Sequence, residues 1–103
     1  MPKGALAMLV LRVLKTGPLH GYAIAQRIRQ LSDSVLEAEE GSLYPALQRI
    51  LIEGWAVANW GNSETGRRVR FYKLTPQGAK QLQRELNEYD QATVAIQAIL
   101  RMA

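Results

Sequence analysis

EGSLYPALQRILIEGWAVANWGNSETGRRVRFYK, residues 40–73, decides the fold. Its first part predicts a helix from Gly41 to Glu53. Leu43, Leu47, Ile50 and Leu51 recur there at helical spacing and form the stripe to be buried. Pro45 is tolerated only near a helix start, where a missing N–H has no partner in any case, so it places that start a few residues upstream. Ser42 is expected to cap the first turn and Gly54 to close the last. Ser42, Tyr44, Gln48 and Arg49 are left on other faces.

A hairpin follows directly. In the strand Trp55–Trp60, the residues Trp55, Val57 and Asn59 alternate with Ala56, Ala58 and Trp60. Gly61–Gly66 is rich in turn residues and reads as the tip. The return strand Arg67–Leu74 puts Val69 and Phe71 on one face, with Arg67 and Lys73 at its ends. Arg68, Arg70, Tyr72 and Leu74 share the other. Cations on an edge strand also deter edge-to-edge pairing. That accounts for the charge but not for the order of helix and then hairpin. A helix whose Ser, Gln and Arg side chains bond base edges or phosphates, beside a cationic hairpin, suits a reader of double-stranded DNA.

The rest of the composition permits this and excludes much else. The 103 residues are one domain's worth, with 48% hydrophobic and 21% charged residues, ordinary globular proportions. The net charge is +4, too small to identify a partner unless the cations cluster. With no cysteine and one histidine, a disulfide framework and a thiolate zinc site are not expected. The apolar run Ala5–Leu14 is interrupted by Arg12 and is too short to span a bilayer. No membrane partner and no cofactor are expected, and the location expected is cytoplasmic, on the nucleoid when DNA is bound.

Three more helices complete the chain. Gly4–Lys15 carries Leu6, Leu9, Val10, Val13 and Leu14 on one stripe. Met8 and Leu11 give it a second apolar side, more than one small core needs, so contact with a partner chain is expected. Thr16-Gly17-Pro18 ends it. His20–Leu31 turns Ile24, Ile28 and Leu31 inward and Gln26, Arg27, Arg29 and Gln30 outward. His20 has no carboxylate or nucleophile pattern beside it, so a capping role is expected rather than acid–base chemistry. Ser32–Glu40 is a connector, with a brief strand expected at Val35-Leu36. Glu37, Glu39 and Glu40 precede the next helix, where carboxylates favour the positive end of its dipole. Thr75-Pro76 starts a last helix that runs to about Arg101, with Thr as cap and Pro at its first position. Ala79, Leu82, Leu86, Tyr89, Thr93, Ile96 and Leu100 recur by steps of three and four, the pattern of a helix–helix seam. Val94 and Ile99 add a second edge. About 25 helical residues span roughly 38 Å, longer than a small domain covers.

The fold class expected is therefore mainly α with a small β-wing, a winged helix-turn-helix (residues 1–75) plus a long C-terminal dimerisation helix (residues 76–103). Five motifs resemble hallmarks of the PadR family of bacterial transcriptional regulators. They are His20-Gly21-Tyr22, Gly41-Ser42-Leu43-Tyr44-Pro45-Ala46-Leu47, Glu53-Gly54-Trp55, Arg67-Arg68 with Tyr72, and Leu74-Thr75-Pro76-Gln77-Gly78. The resemblance runs from about Leu6 to Leu100, and the short length is similar to the smaller subgroup of that family.

The resemblance implies a homodimer that represses promoters, with the third helix in the major groove and the wing on the backbone or minor groove. It implies DNA contacts from Ser42, Tyr44, Gln48 and Arg49 on that helix. It implies others from Thr65, Gly66, Arg67, Arg68 and Arg70 on the wing, and from Tyr22 and Arg27 on the second helix. It also implies a dimer interface of Leu6, Leu9, Leu82, Leu86, Tyr89, Thr93, Ile96 and Leu100. In some relatives an aromatic on the last helix, often Trp, lines a pore for planar aromatic effectors. Tyr89 stands there in this chain, with a smaller stacking face and a hydroxyl. The rival reading is a protein-interaction module on the same scaffold, with exposed Trp and Tyr as anchors. An enzyme is not expected, because no nucleophile–base arrangement, phosphate-cradling glycine loop or metal set is visible.

Overall fold

A computed structural model describes residues 4–103. Residues 1–3, at the start of the expected DNA-binding unit, lie outside the described residues. The elements are α1 (Ala5–Leu14), β1 (Leu19–His20), α2 (Gly21–Leu31), α3 (Glu40–Ile52), β2 (Ala56–Asn62), β3 (Arg68–Leu74) and α4 (Pro76–Leu100). Three helices, an antiparallel sheet ordered β1-β3-β2 and a 25-residue final helix make a winged helix-turn-helix with a C-terminal extension.

α1 is the central post. Ala7, Met8, Val10, Leu11, Val13 and Leu14 are all buried, because α2, α3, β3 and α4 each pack against it. Met8 and Leu11, expected to meet a partner chain, are thus taken up inside their own. Leu6 and Leu9 on that helix stay half-buried. Each fully buried aliphatic side chain contributes about 1.5–3 kcal/mol, so this one helix supplies much of the core.

α2 begins at its cap. His20 is extended, and its Nδ1 accepts a hydrogen bond from the Ala23 N–H at 3.3 Å. The imidazole also meets the Phe71 ring edge-on, 5.6 Å between centroids. Ile24 and Ile28 are buried as expected, whereas Leu31 is 69% exposed. The helix ends there in a left-handed turn through Asp33 and Ser34, with Ser34 N–H bonding the Arg29 carbonyl at 2.8 Å and Asp33 N–H bonding Gln30 at 3.2 Å. Ser32 Oγ accepts from Leu36 N–H at 3.0 Å. Leu36 packs on the core in place of Leu31. No strand forms at Val35-Leu36, because these side-chain and turn bonds take up the local backbone instead.

α3 starts at Glu40, one residue earlier than expected, with Glu39 as its cap residue and no side-chain cap bond. Ser42 is therefore a first-turn residue and not the cap. Leu43, Leu47 and Ile50 are buried and Leu51 half-buried. At the far end Gly54 adopts φ +75°. Its N–H bonds Leu51 at 3.1 Å and the Trp55 N–H bonds Ile50 at 3.0 Å, a paired closure that requires a residue free to turn left-handed.

β2 and β3 pair from Ala56↔Leu74 to Asn62↔Arg68. β2 starts one residue later than expected and runs two residues further, β3 starts one residue later, and the tip is the loop at 63–67, where Gly66 has φ +81°. β1 was not anticipated. It is two residues long and exists only by pairing Leu19↔Tyr72 and His20↔Phe71 on the other side of β3. Ala56, Ala58, Tyr72 and Leu74 face the helices and join the core. Thr75 caps α4 by accepting from Gly78 N–H at 3.0 Å, and it donates its hydroxyl hydrogen to the Gly54 carbonyl at 2.7 Å. The first turn of α4 is thereby tied to the end of α3. Leu82 and Leu86 then pack beside α1 and the rest of the core.

Candidate nucleic-acid interface

The surface of α3 opposite its buried stripe carries Gly41, Ser42, Tyr44, Pro45 and Gln48, all exposed. Ile52 shares the Gln48 face one turn on and is 81% exposed. Its position, about half a helical circle from the buried stripe, is the sequence signal that marks it as exposed. Arg49 is exposed as well, but its guanidinium sits over the Trp55 ring at 5.4 Å. Its charge also falls on Glu85 of α4. Arg49 thus occupies the flank of α3 that meets the α4 junction, apart from the face of Gln48.

The wing gathers cations. Arg67 leads out of the tip, where Ser63 Oγ accepts from the Arg67 N–H at 3.2 Å and stands 3.1 Å from Thr65 Oγ1. Thr65 and Gly66 are exposed at that tip. Arg68 and Arg70 emerge from the same sheet face as Tyr72, the face against which the helices pack. They lie beyond Tyr72 on that face, towards the tip of the wing. Tyr22 and Arg27 are exposed on α2, with Tyr22 stacked 6.5 Å from His20. Among the described residues the sole ion pair is Arg29–Glu37 at 3.8 Å, so no wing arginine is neutralised by a carboxylate. Nor, among the described residues, do His, Asp and Glu side chains gather into a metal site.

Along α4 the residues expected in a seam divide into two sets. Leu82, at 2% exposure, belongs to its own chain's core and is unavailable to a partner. Leu86 and Thr93 are half-buried, and Tyr89, Ile96 and Leu100 stand exposed with Val94, Ile99 and Met102. The cause is where the helix lies: its first turns cover α1, and its remainder runs past the core of a chain 57 Å long and 29 Å wide.

Between the two regions sits Glu85, whose Oε2 is buried without a hydrogen-bond partner. Burial raises its carboxyl above the ordinary 4.5; the Arg49 charge opposes the rise, Glu88 adds to it and the Gln81 side chain opposes it again. The folded state therefore holds this proton more tightly than the unfolded state. Ionised Glu85 subtracts stability above its folded pKa, and the subtraction fades as the pH falls towards and below 4.5. Glu85→Gln is expected to raise the melting temperature at neutral pH and to lose that advantage in acid. Thermal melts of both proteins across that range check it, and a Gln variant less stable at neutral pH would show that the Arg49 attraction outweighs the burial.

The profile of the Transcriptional regulator PadR-like family matches residues 10–84. The chain belongs to this family. PadR-like proteins are regulators of transcription and not enzymes, and the matched span takes in the second half of α1, the whole of α2 and α3, the wing and the start of α4. The fold of a transcriptional regulator from Clostridium thermocellum superposes with a TM-score of 0.88 at 27% identity, covering 96% of each chain. A PadR family transcription regulator from Clostridium difficile gives 0.80 at 26% identity, over 94% of this chain and 99% of that one. Among curated sequences, an uncharacterized protein of Lysinibacillus sphaericus is 25% identical over 84% of this chain and 80% of its own length. An uncharacterized protein in a transposon of Streptomyces fradiae is 45% identical over 76% of this PadR-like chain, which spans only 21% of that relative.

Proposed function

We propose that this PadR-like regulator binds double-stranded DNA as a homodimer and represses transcription from a pseudo-palindromic operator. The observation that carries this reading is a wing whose arginines have no carboxylate partner among the described residues, in one fold with a helix whose polar face is open. Residues 1–75 form the reading unit and residues 76–103 the dimerisation helix. α3 enters the major groove with Ser42, Tyr44 and Gln48 foremost, and Arg67, Arg68 and Arg70 hold backbone phosphates. Tyr22 and Arg27 add backbone contacts from α2. Arg49, held over Trp55 on the flank that Ser42 shares two turns earlier, adds a contact at the edge of the polar face of α3. The exposed apolar residues of α4, from Tyr89 to Leu100, are what a second copy would cover. A planar aromatic effector beside Tyr89 would act by changing how the two copies of α4 cross. Among the described residues no helix is long and apolar enough to cross a membrane, which accords with a cytoplasmic site of action.

The test is fluorescence anisotropy with the DNA upstream of the chain's own gene and a scrambled duplex, over a salt series. Tight, steeply salt-dependent binding to the upstream fragment at two chains per site supports the repressor. Absence of binding to either duplex at low salt sinks the reading and favours a protein partner instead.

A further inference from the structure

The wing holds two of its cations against aromatic rings. Trp60 lies opposite Arg70 in the β2–β3 register, two pairs from Asn62↔Arg68 and on the same face. The Arg68 guanidinium sits over its indole at 5.2 Å and that of Arg70 at 6.0 Å. Arg70 also lies 5.9 Å from the ring of Tyr72, which is buried in the core. The result is a ladder anchored at Tyr72 and running outward through Arg70 and Trp60 to Arg68. Trp60 itself is 60% exposed.

We propose that Trp60 is a positioning residue whose indole sets the Arg68 and Arg70 guanidiniums in a fixed array matched to successive backbone phosphates, without reading bases itself. The inference rests on the DNA-binding reading above. A carboxylate could also order these arginines, but it would consume their N–H donors and cancel their charge. A ring face orders the guanidinium plane and leaves both free. Arg68 and Arg70 are alternate residues of one strand, roughly 6.6 Å apart along it, which is close to the separation of neighbouring phosphates on one DNA strand. Arginine loses much side-chain freedom when it docks, and a side chain already held loses less. Arg67, at the tip, has no such platform among the described residues, and its contribution is charge alone.

The experiment compares Trp60→Leu, Trp60→Phe and Arg68→Ala with the wild type in the same anisotropy salt series. Trp60→Leu is expected to weaken binding about tenfold on upstream and scrambled duplexes alike, with the salt slope unchanged because every cation remains. Trp60→Phe restores most of the loss by restoring a ring face. Arg68→Ala instead flattens the slope. A Trp60→Leu loss confined to the upstream fragment would overturn the proposal in favour of base reading, and full affinity in that variant would overturn it outright. Should the wild type bind no DNA, the DNA reading itself has failed. The stack is then judged alone in a Trp55→Phe background, where Trp60 is the single indole. Trp60 emission that shifts with Arg68→Ala and Arg70→Ala supports the platform, and emission indifferent to both removes it.

Discussion

Gly78→Ala is expected to lower the melting temperature by roughly 10–20 °C, from an overpacking cost of about 2–3 kcal/mol in a domain of this size. Gly78 is buried in the first turn of α4. A Cβ there would fall inside the Trp55 carbonyl oxygen and stand 2.7 Å from Leu74 Cδ1. The first obstacle is backbone, so no side-chain rotation relieves it. The same few atoms make the joint between α3, β2 and α4: Thr75 N–H bonds the Trp55 carbonyl at 3.0 Å and the Thr75 hydroxyl bonds Gly54 at 2.7 Å. Moving α4 outward to admit a methyl group would stretch both bonds. Gly41→Ala is the control, since a Cβ at Gly41 meets nothing within 4 Å. By helix propensity alone it should be neutral or more stable by up to about 1 kcal/mol. Circular dichroism melts of the two variants decide the matter. A Gly78→Ala protein that melts within a few degrees of wild type would show that α4 is not seated against Trp55. In the homodimer proposed above, the seating of α4 would also set how the two reading units are spaced.

Residues whose role is set by local period were legible in the sequence. Leu43, Leu47 and Ile50 declared α3 and its buried face, Thr75-Pro76 declared the start of α4, and Gly54 declared the turn between helix and wing. What was not legible depends on contacts between elements distant in the chain. Two residues, Leu19 and His20, become a strand only because β3 offers its free edge. Leu82 obeys the seam pattern of α4, yet it is buried at home, since period alone does not say which chain supplies the opposing face. Arg49 follows Gln48 and shares its polarity, but a turn of 100° per residue carries it to the flank where Trp55 lies. Ser42 had the chemistry of a cap, and lost the position because Glu39 and Glu40 extend the helix backward. The wing's charge was plain in Arg67-Arg68-Val69-Arg70, whereas its ordering on Trp60 needed the strand register, which places Trp60 across from Arg70.

Replacing Arg67, Arg68 and Arg70 together by alanine is expected to cost on the order of a thousandfold in DNA affinity at about 50 mM salt. If each arginine neutralises one phosphate, the slope of log affinity against log salt should fall by about 2.7. The deficit relative to wild type should then shrink about fortyfold between roughly 50 and 200 mM salt, because the lost contacts are the ones that salt weakens. The fold should survive. None of the three is paired with a carboxylate, and only Arg68 and Arg70 give up cation–π contact, on Trp60 and Tyr72, about 0.5–1 kcal/mol each at exposed sites. A melting temperature lower by several degrees is therefore compatible with an intact reading head, and gel filtration should show an unchanged oligomeric state. The triple lysine variant separates charge from geometry: it should recover the slope in full but not the affinity, since an ammonium lacks the planar fork that engages a phosphate through two donors. A triple alanine variant with wild-type slope would mean that these cations never reach the phosphates, and would move the DNA contact from the wing to α2 and α3 alone.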